Sequence, residues 1–101
     1  MSAFGKLLRK TTEGYLIWCP GCDQAHHLRV GQKDKPNWTF NEDPEKPKFH
    51  PSLMVRFARS GRVCHSFIKN GEWQYLKDST HQLAGQKVAI PLWEKDDSYD
   101  F

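Results

Sequence analysis

Long apolar segments are missing from this sequence of 101 residues. No run approaches the roughly 20 consecutive apolar residues that a membrane-spanning helix needs, so we expect no membrane span. Residues 1–9 contain neither a long apolar stretch nor a small-residue cleavage site, and we therefore expect no secretory signal. These absences make the cytoplasm the expected location of the chain.

Cysteines and catalytic motifs are equally sparse. The chain contains three cysteines, which in a reducing cytoplasm are expected to be thiols or metal ligands rather than a disulfide framework. It has no Gly-rich phosphate loop, no H-E-x-x-H motif and no G-x-S-x-G motif. From the sequence we assign no catalytic residue, and a non-enzymatic chain is preferred over an enzyme.

The chain does contain enough apolar material for one small core. Hydrophobic residues make up 38% of the chain, and thirteen residues are aromatic, which argues against a disordered chain. The length predicts a single domain, placed at 1–93, followed by an acidic, mobile tail at 94–101. A domain of this size has little stability to spare, so a bound metal would contribute to its folding.

The charge of the chain is unevenly distributed. The net charge is +3, whereas residues 94–101 contain four acids and one base, so the remaining 93 residues carry +6. A basic body can bind nucleic acid or an acidic protein. It is also compatible with an ordinary solvated surface, which is the preferred interpretation. No membrane partner is expected, and the sequence does not indicate an oligomeric state.

Short β-prone runs separated by turn residues follow one another along the chain, and helical periodicity is almost absent. The predicted strands are 14–18, 26–30, 38–40, 52–58, 62–69, 72–77 and 87–92. One helical turn is predicted through His81 to Ala84, because residues 78–80 can cap it and Gly85 can stop it. The expected fold is mainly β: a small antiparallel sheet or sandwich that resembles a zinc ribbon, with one short helical turn.

The clearest local signal is the Asn70-Gly71 pair between two β-prone runs. Both turn residues of a type I′ hairpin need positive φ, which Asn and Gly tolerate best. The resulting register pairs Lys69 with Glu72 and Ile68 with Trp73. It also separates the side chains by face. Cys64, Ser66, Ile68, Trp73 and Tyr75 fall on one face, and Val63, His65, Phe67, Gln74 and Leu76 fall on the other.

Cys19-Pro20-Gly21-Cys22 has the pattern of a metal-binding knuckle. Two cysteines three positions apart, with Pro and Gly between them, can point both sulfurs at one ion while amide groups of the turn bond the thiolates. The same spacing occurs in redox-active cysteine pairs. Redox pairs usually open a helix after a strand, whereas a β-type segment follows here, so the context favours a metal.

A closed tetrahedral zinc site needs four ligands, and Cys64 is the remaining thiol. Cys64 could instead be a small buried hydrophobe, but its place in a hairpin of the kind that faces a knuckle favours a ligand. The fourth ligand is then a histidine. We rank His26 first, because it can fold back onto the ion, His81 second, and third His65, which points away from its neighbour Cys64. The predicted cofactor is one Zn²⁺ held by Cys19, Cys22, Cys64 and His26.

An acid–base cluster is a further hypothesis. His65, Asp78 and His81 would meet if the end of the hairpin approached the turn at 78–85. An Asp–His pair is more often a cap or a surface hydrogen bond, so this hypothesis ranks below a structural role.

Together these motifs resemble those of a family of small proteins that is common in bacteriophage genomes and often labelled ammonia monooxygenase. The resembling segments are Cys19-Pro20-Gly21-Cys22 with His26, Trp38-Thr39-Phe40-Asn41, Pro51-Ser52-Leu53, Cys64-His65-Ser66-Phe67-Ile68, Asn70-Gly71, and Asp78-Ser79-Thr80-His81 with Leu83, Ala84 and Gly85. The resemblance implies a zinc-binding β fold and a phage origin. Related domains accompany bacterial ubiquitin-like conjugation genes, which implies protein targets, but the resemblance brings no particular reaction.

Three functions follow as hypotheses. The first is a non-enzymatic, zinc-stapled module that binds a host protein in the host cytoplasm, for anti-defence or host takeover; it rests on the missing catalytic signature and on the polar, proline-rich loop at 31–51. The second is a zinc-dependent hydrolase or peptidase, which needs an open position on the ion and an acid–base residue such as Asp78. The third is a nucleic-acid-binding zinc ribbon, which the acidic tail makes the weakest of the three.

Overall fold

The computed structural model describes residues 2–93, which form nine strands and no helix. The strands are β1 (Ser2–Phe4), β2 (Leu8–Lys10), β3 (Gly14–Cys19), β4 (Gln24–Arg29), β5 (Thr39–Phe40), β6 (Phe49–Arg56), β7 (Val63–Lys69), β8 (Glu72–Tyr75) and β9 (Lys87–Ala89). The mainly-β fold predicted from the sequence is confirmed. The acidic tail at 94–101 lies outside the described residues. Within the described part, no helix is long and apolar enough to cross a membrane.

Two antiparallel meanders make up the fold. The first sheet has the order β1-β2-β3-β4, and the second sheet has the order β5-β6-β7-β8-β9. Neighbouring strands in each sheet are consecutive in the chain, as expected when hairpins and short loops connect antiparallel strands.

One core cluster contains residues of both sheets. The first sheet contributes Tyr15, Ile17 and Cys19 from alternate positions of β3, which places one face of that strand inward. The second sheet contributes Phe49, Leu53, Cys64, Ile68, Trp73 and Tyr75. The other face of β3 is covered as well, because Leu16 is buried in a second cluster with Ala25 and Trp93.

The hairpin between β7 and β8 has the predicted register. Asn70 and Gly71 have φ values of 55° and 72°, and Lys69 pairs with Glu72 while Ile68 pairs with Trp73. The side chains are divided between the faces as predicted. Cys64, Ser66, Ile68, Trp73 and Tyr75 are buried, whereas Val63, His65, Phe67, Gln74 and Leu76 are half-buried or exposed.

The structure departs from the sequence-based prediction at several strand bounds, such as β9, which ends at Ala89 rather than at Leu92, and at the predicted helical turn. β1 and β2 have no counterpart in it, because strands of three residues are too short for a periodic signal. β6 begins at Phe49 rather than at Ser52, although Pro51 lies within it. At the predicted helical turn, the Ala84 N–H donates to the His81 carbonyl over 3.2 Å, but the turn does not continue into a helix.

Candidate functional site

The four residues ranked highest as metal ligands lie together where β3, β4 and β7 meet. Cys19 ends β3, Cys22 lies in the turn to β4, His26 lies on β4 and Cys64 lies on β7. Their candidate donor atoms all lie within 4.8 Å of one another. Cys22 is half-buried and the other three are buried, so the cluster joins the first sheet to the second inside the protein.

The geometry of the cluster fits a tetrahedral zinc. The Sγ atoms of Cys19 and Cys64 are 3.9 Å apart, and two thiolates at about 2.3 Å from a tetrahedral zinc would be roughly 3.8 Å apart. The Nε2 atom of His26 is buried and forms no hydrogen bond within residues 2–93. A buried polar atom without a hydrogen bond lowers the stability of the fold by about 1–3 kcal/mol. The lone pair of this nitrogen is suited to bind a metal. The four residues can therefore bind a metal ion, and its identity as zinc stays a prediction.

The three sulfurs perturb one another strongly. Hydrogen bonds, first from the Cys22 thiol and then from the Cys64 thiol, hold the pKa of Cys19 far below its usual range. The pKa of Cys22 rises to about 11 because its thiol acts as the donor to Cys19, and the pKa of Cys64 is raised for the same reason. A thiol whose pKa is lowered by two neighbouring thiols is suited to bind a cation as its thiolate.

Tyr75 and the backbone of the knuckle support the Cys19 sulfur. The Tyr75 hydroxyl lies 3.1 Å from Cys19 Sγ and accepts the Gly21 N–H over 3.3 Å. Burial raises the pKa of Tyr75, so the hydroxyl keeps its proton and donates it to the thiolate. Bonds of this kind orient ligand sulfurs in metal sites.

His81, the second-ranked ligand, contacts a ligand of the cluster from outside. Its Nδ1 atom accepts the Leu83 N–H over 3.2 Å, which leaves the proton on Nε2, and Nε2 lies 3.5 Å from Cys64 Sγ. Burial lowers the pKa of His81, as suits a neutral imidazole that donates to a thiolate. A Cβ atom at Gly21 would lie 2.5 Å from this ring, so glycine is needed for the close approach.

His65, the third-ranked ligand, faces away from the cluster. Its Nδ1 atom lies 3.0 Å and 3.1 Å from the two carboxylate oxygens of Asp78. Its Nε2 atom lies 3.4 Å from the Ser52 hydroxyl oxygen. His65 is half-buried and Asp78 exposed, so this acid–base–hydroxyl group lies on the outer face of the second sheet.

An irregularity in β6 brings Ser52 to this face. The register between β6 and β7 shifts between Phe49 and Leu53, and bulges of this kind commonly turn a side chain toward a site. Leu53 points into the core, so its neighbour Ser52 points outward. Met54 then pairs directly with His65 across the strands.

Ser52, His65 and Asp78 have the arrangement of a base-activated nucleophile. The carboxylate accepts the Nδ1–H of His65, which leaves the lone pair on Nε2 directed at the Ser52 hydroxyl. An imidazole in this position can take the hydroxyl proton while the oxygen attacks a carbonyl carbon. The arrangement is therefore capable of acyl transfer.

The sequence identified two members of this group and missed the third. The lower-ranked hypothesis of an acid–base cluster grouped His65 and Asp78 with His81, but the His81 ring instead contacts Cys64. Ser52 carries no local signal, because it lies 13 residues before His65 on a different strand. Its sole hint is the resembling segment Pro51-Ser52-Leu53. His50, which precedes Pro51 on β6, is exposed.

Space for a ligand adjoins the Ser52 backbone. A groove of about 610 Å³ is lined by residues 32–37, Trp38 and Pro51, and the Trp38 indole N–H donates to the Ser52 carbonyl over 3.4 Å. On the sheet face itself, Met54 and Phe67 are 37% and 41% exposed. Both flank His65, since Met54 lies opposite it and Phe67 lies two residues along the same strand.

Comparison with known proteins finds one family. Its model is described as "Bacterial ubiquitination-like system serine protease (BubE)" and matches residues 3–76. No curated protein and no solved structure matches the chain. The matched segment contains Ser52, His65 and all four residues of the cysteine–histidine cluster, and it ends before Asp78. The link to bacterial ubiquitination-like systems is confirmed, whereas the phage origin stays a prediction.

Proposed function

The chain belongs to the BubE family, and from that premise we propose that it is a serine protease of a bacterial ubiquitination-like system. Its substrates are proteins that carry, or are made as precursors of, a ubiquitin-like protein. Ser52 is the nucleophile, His65 the general base and Asp78 the residue that orients the base. This assignment replaces the expectation, based on sequence motifs, that no residue is catalytic.

The observation that carries the proposal is the continuous hydrogen-bonded series from Asp78 through His65 to Ser52. The two bonds of Asp78 to Nδ1 measure 3.0 Å and 3.1 Å, and the contact from Nε2 to the hydroxyl measures 3.4 Å. The second contact is long, as is common before substrate binds. Serine proteases of unrelated folds share this geometry rather than a common sequence order.

In the proposed reaction, the Ser52 oxygen attacks the carbonyl carbon of the scissile bond while His65 takes the hydroxyl proton on Nε2. The imidazolium that forms is stabilised by the Asp78 carboxylate. His65 then gives the proton to the leaving amine, which leaves an ester on Ser52. Water, activated by the same imidazole, hydrolyses the ester and restores the hydroxyl.

The metal ion has a structural role in this proposal. Three thiolates and an imidazole complete the tetrahedral coordination of zinc, and a closed site has no position for water or substrate. This argues against the zinc-dependent hydrolase hypothesis, which requires such a position. The bound ion would hold β3, β4 and β7 together, and with them the strand that carries His65.

A protease that acts on protein conjugates needs a surface for protein. Met54 and Phe67 form an exposed apolar pair beside the triad, and the groove at Trp38 and Pro51 lies next to Ser52. Both features suit an extended peptide that crosses the second sheet at Ser52. The expectation that the chain binds a host protein, and the weaker one that it binds nucleic acid, stay predictions.

The proposal is tested with a ubiquitin-like protein from a bacterial conjugation system, fused through its C-terminus to a reporter. The wild-type protein should release the reporter, and Ser52→Ala should lower kcat/KM by about a thousandfold or more. Ser60→Ala is the matched control, because Ser60 is exposed and lies outside the triad. Equal cleavage by wild type and Ser52→Ala, or none by the wild type on fusions and isopeptide conjugates, would refute the proposal.

A further inference from the structure

The segment after β8 continues alongside β7 without being a strand. The Leu76 N–H donates to the His65 carbonyl over 2.8 Å. Two residues after Leu76, Asp78 reaches the His65 imidazole. Residues 76–80 therefore form hydrogen bonds to β7 although they do not form a strand.

Two consecutive hydroxyl side chains add hydrogen bonds to β7 beyond the end of β8. The Ser79 hydroxyl donates to the His65 carbonyl over 2.9 Å and accepts the His65 N–H over 3.0 Å. In the same way, the Thr80 hydroxyl bonds the carbonyl and the N–H of Val63, at 3.3 Å and 3.0 Å. Each hydroxyl thus bonds both backbone groups of one β7 residue. It matters most for the N–H, because the His65 and Val63 carbonyls also accept the N–H groups of Leu76 and Thr80.

We propose that Ser79 is a positioning residue for the catalytic base: its hydroxyl fixes the backbone of His65 and, through the adjoining peptide bond, sets the Asp78 carboxylate against the imidazole. The proposal rests on the proposed function, since it deepens the assignment of His65 as the base. Ser79 itself does not touch the reacting atoms.

The geometry explains why the hydroxyl is needed here. The Asp78 side chain is exposed and approaches the imidazole from a turn, so nothing in a regular sheet holds it in place. Ser79 is 7% exposed. Removal of its hydroxyl leaves the His65 N–H without its hydrogen-bond partner, and water does not easily reach this buried position to replace it. Because misplacement of a catalytic group by about 1 Å can cost roughly 100-fold in rate, a small movement at this point is enough to matter.

Thr80→Ala is a matched control for Ser79→Ala. Both variants remove one hydroxyl that bonds two backbone groups of β7, but only Ser79 bonds His65. Ser79→Ala should lower kcat by about 10-fold to 100-fold with KM nearly unchanged, and Ser79→Thr, which keeps the hydroxyl, should restore most of the loss. Thr80→Ala should leave kcat within about threefold of wild type.

A second measurement does not depend on hydrolysis. The His65 Nδ1 proton, shared with Asp78, should give a downfield NMR signal that Ser79→Ala loses and Thr80→Ala keeps, and the His65 amide should exchange faster in Ser79→Ala alone. Equal losses of kcat in the two variants, or an unchanged His65 signal in Ser79→Ala, would overturn the proposal. If the wild type lacked activity while the signals behaved as expected, the proposed function would fail and the positioning of His65 by Ser79 would stand.

Discussion

Cys64 and His65 are neighbours on β7 whose side chains serve two separate sites. The Cys64 sulfur lies 3.9 Å from that of Cys19, and the His65 imidazole lies 3.0 Å from the Asp78 carboxylate. Successive residues of a strand point to opposite faces, so one peptide bond connects the cysteine–histidine cluster inside with the proposed triad outside. We therefore expect a substitution at one site to alter the geometry of the other.

Loss of the metal should disable the protein as well as destabilise it. Cys64→Ser should abolish stoichiometric zinc binding and lower the free energy of unfolding by about 3–5 kcal/mol, because a structural metal contributes its binding energy to folding. Removal of zinc by a strong chelator should have the same effect. Metal analysis measures the loss of zinc, and denaturant unfolding measures the change in the free energy of unfolding.

Ser66→Ala is a suitable control for Cys64→Ser. Ser66 lies on the same inward face of β7, two residues away, and its buried hydroxyl has no hydrogen-bond partner within residues 2–93. Its removal should therefore change stability by less than about 1 kcal/mol. A native unfolding transition in Cys64→Ser without zinc would contradict the structural role of the metal.

Gly21→Ala should disturb the metal site through His81. The added methyl group would lie 2.5 Å from the imidazole, so the ring must move away from Cys64 at a cost of about 1–3 kcal/mol. Unfolding of Gly21→Ala, His81→Ala and the double variant forms a double-mutant cycle. The cost of Gly21→Ala should largely disappear when the ring is absent, and an unchanged cost would show that its source lies elsewhere.

Asp78→Asn should lower kcat by disturbing the orientation of the base while leaving the stability of the protein nearly unchanged. The amide has the shape of the carboxylate but can donate to Nδ1, which favours the wrong tautomer of His65, and kcat should fall by about 100-fold or more. Stability should change by less than about 1 kcal/mol, because a side-chain contact to an exposed carboxylate contributes little. Steady-state kinetics and thermal unfolding of the same preparation measure the two effects, and a kcat near that of wild type would count against the triad.

The exposed pair beside His65 should contribute to substrate binding. Met54→Ala and Phe67→Ala should each raise KM for a protein conjugate by about 5-fold to 30-fold, as loss of apolar contact at an interface costs about 1–2 kcal/mol. Their kcat should remain close to that of wild type. Leu92→Ala is the control, since Leu92 is 61% exposed but lies outside both sheets. Identical KM values for all four proteins would place the substrate elsewhere.

Features encoded within a short stretch of chain could be predicted from the sequence. Asn70-Gly71 fixed the register of the β7–β8 hairpin, and that register placed Cys64 and His65 on opposite faces. The knuckle followed from ligand spacing, and Cys64 with a histidine followed because a closed zinc site needs four ligands. His26 was ranked first among three histidines. The hairpin and the knuckle need only local geometry, whereas the inclusion of Cys64 rests on the four ligands that a closed zinc site requires.

Two contacts between distant segments of the chain were not predicted. Ser52 reaches His65 because β6 pairs with β7 and the register shifts beside Ser52. Neither the pairing nor the shift can be inferred from the residues of either strand. His81 bonds Cys64 rather than His65 because the turn at 81–84 lies against the knuckle, where Gly21 leaves room for the ring.

Covalent capture of the nucleophile tests the central claim most directly. A fluorophosphonate reacts with a serine whose proton is removed by a neighbouring base, so intact mass and peptide mapping should find one adduct on Ser52 of the zinc-loaded protein and none on its other serines. His65→Gln should abolish the adduct while zinc content stays stoichiometric. An adduct on another serine, or none at Ser52 in the folded, zinc-loaded wild type, would contradict the assignment.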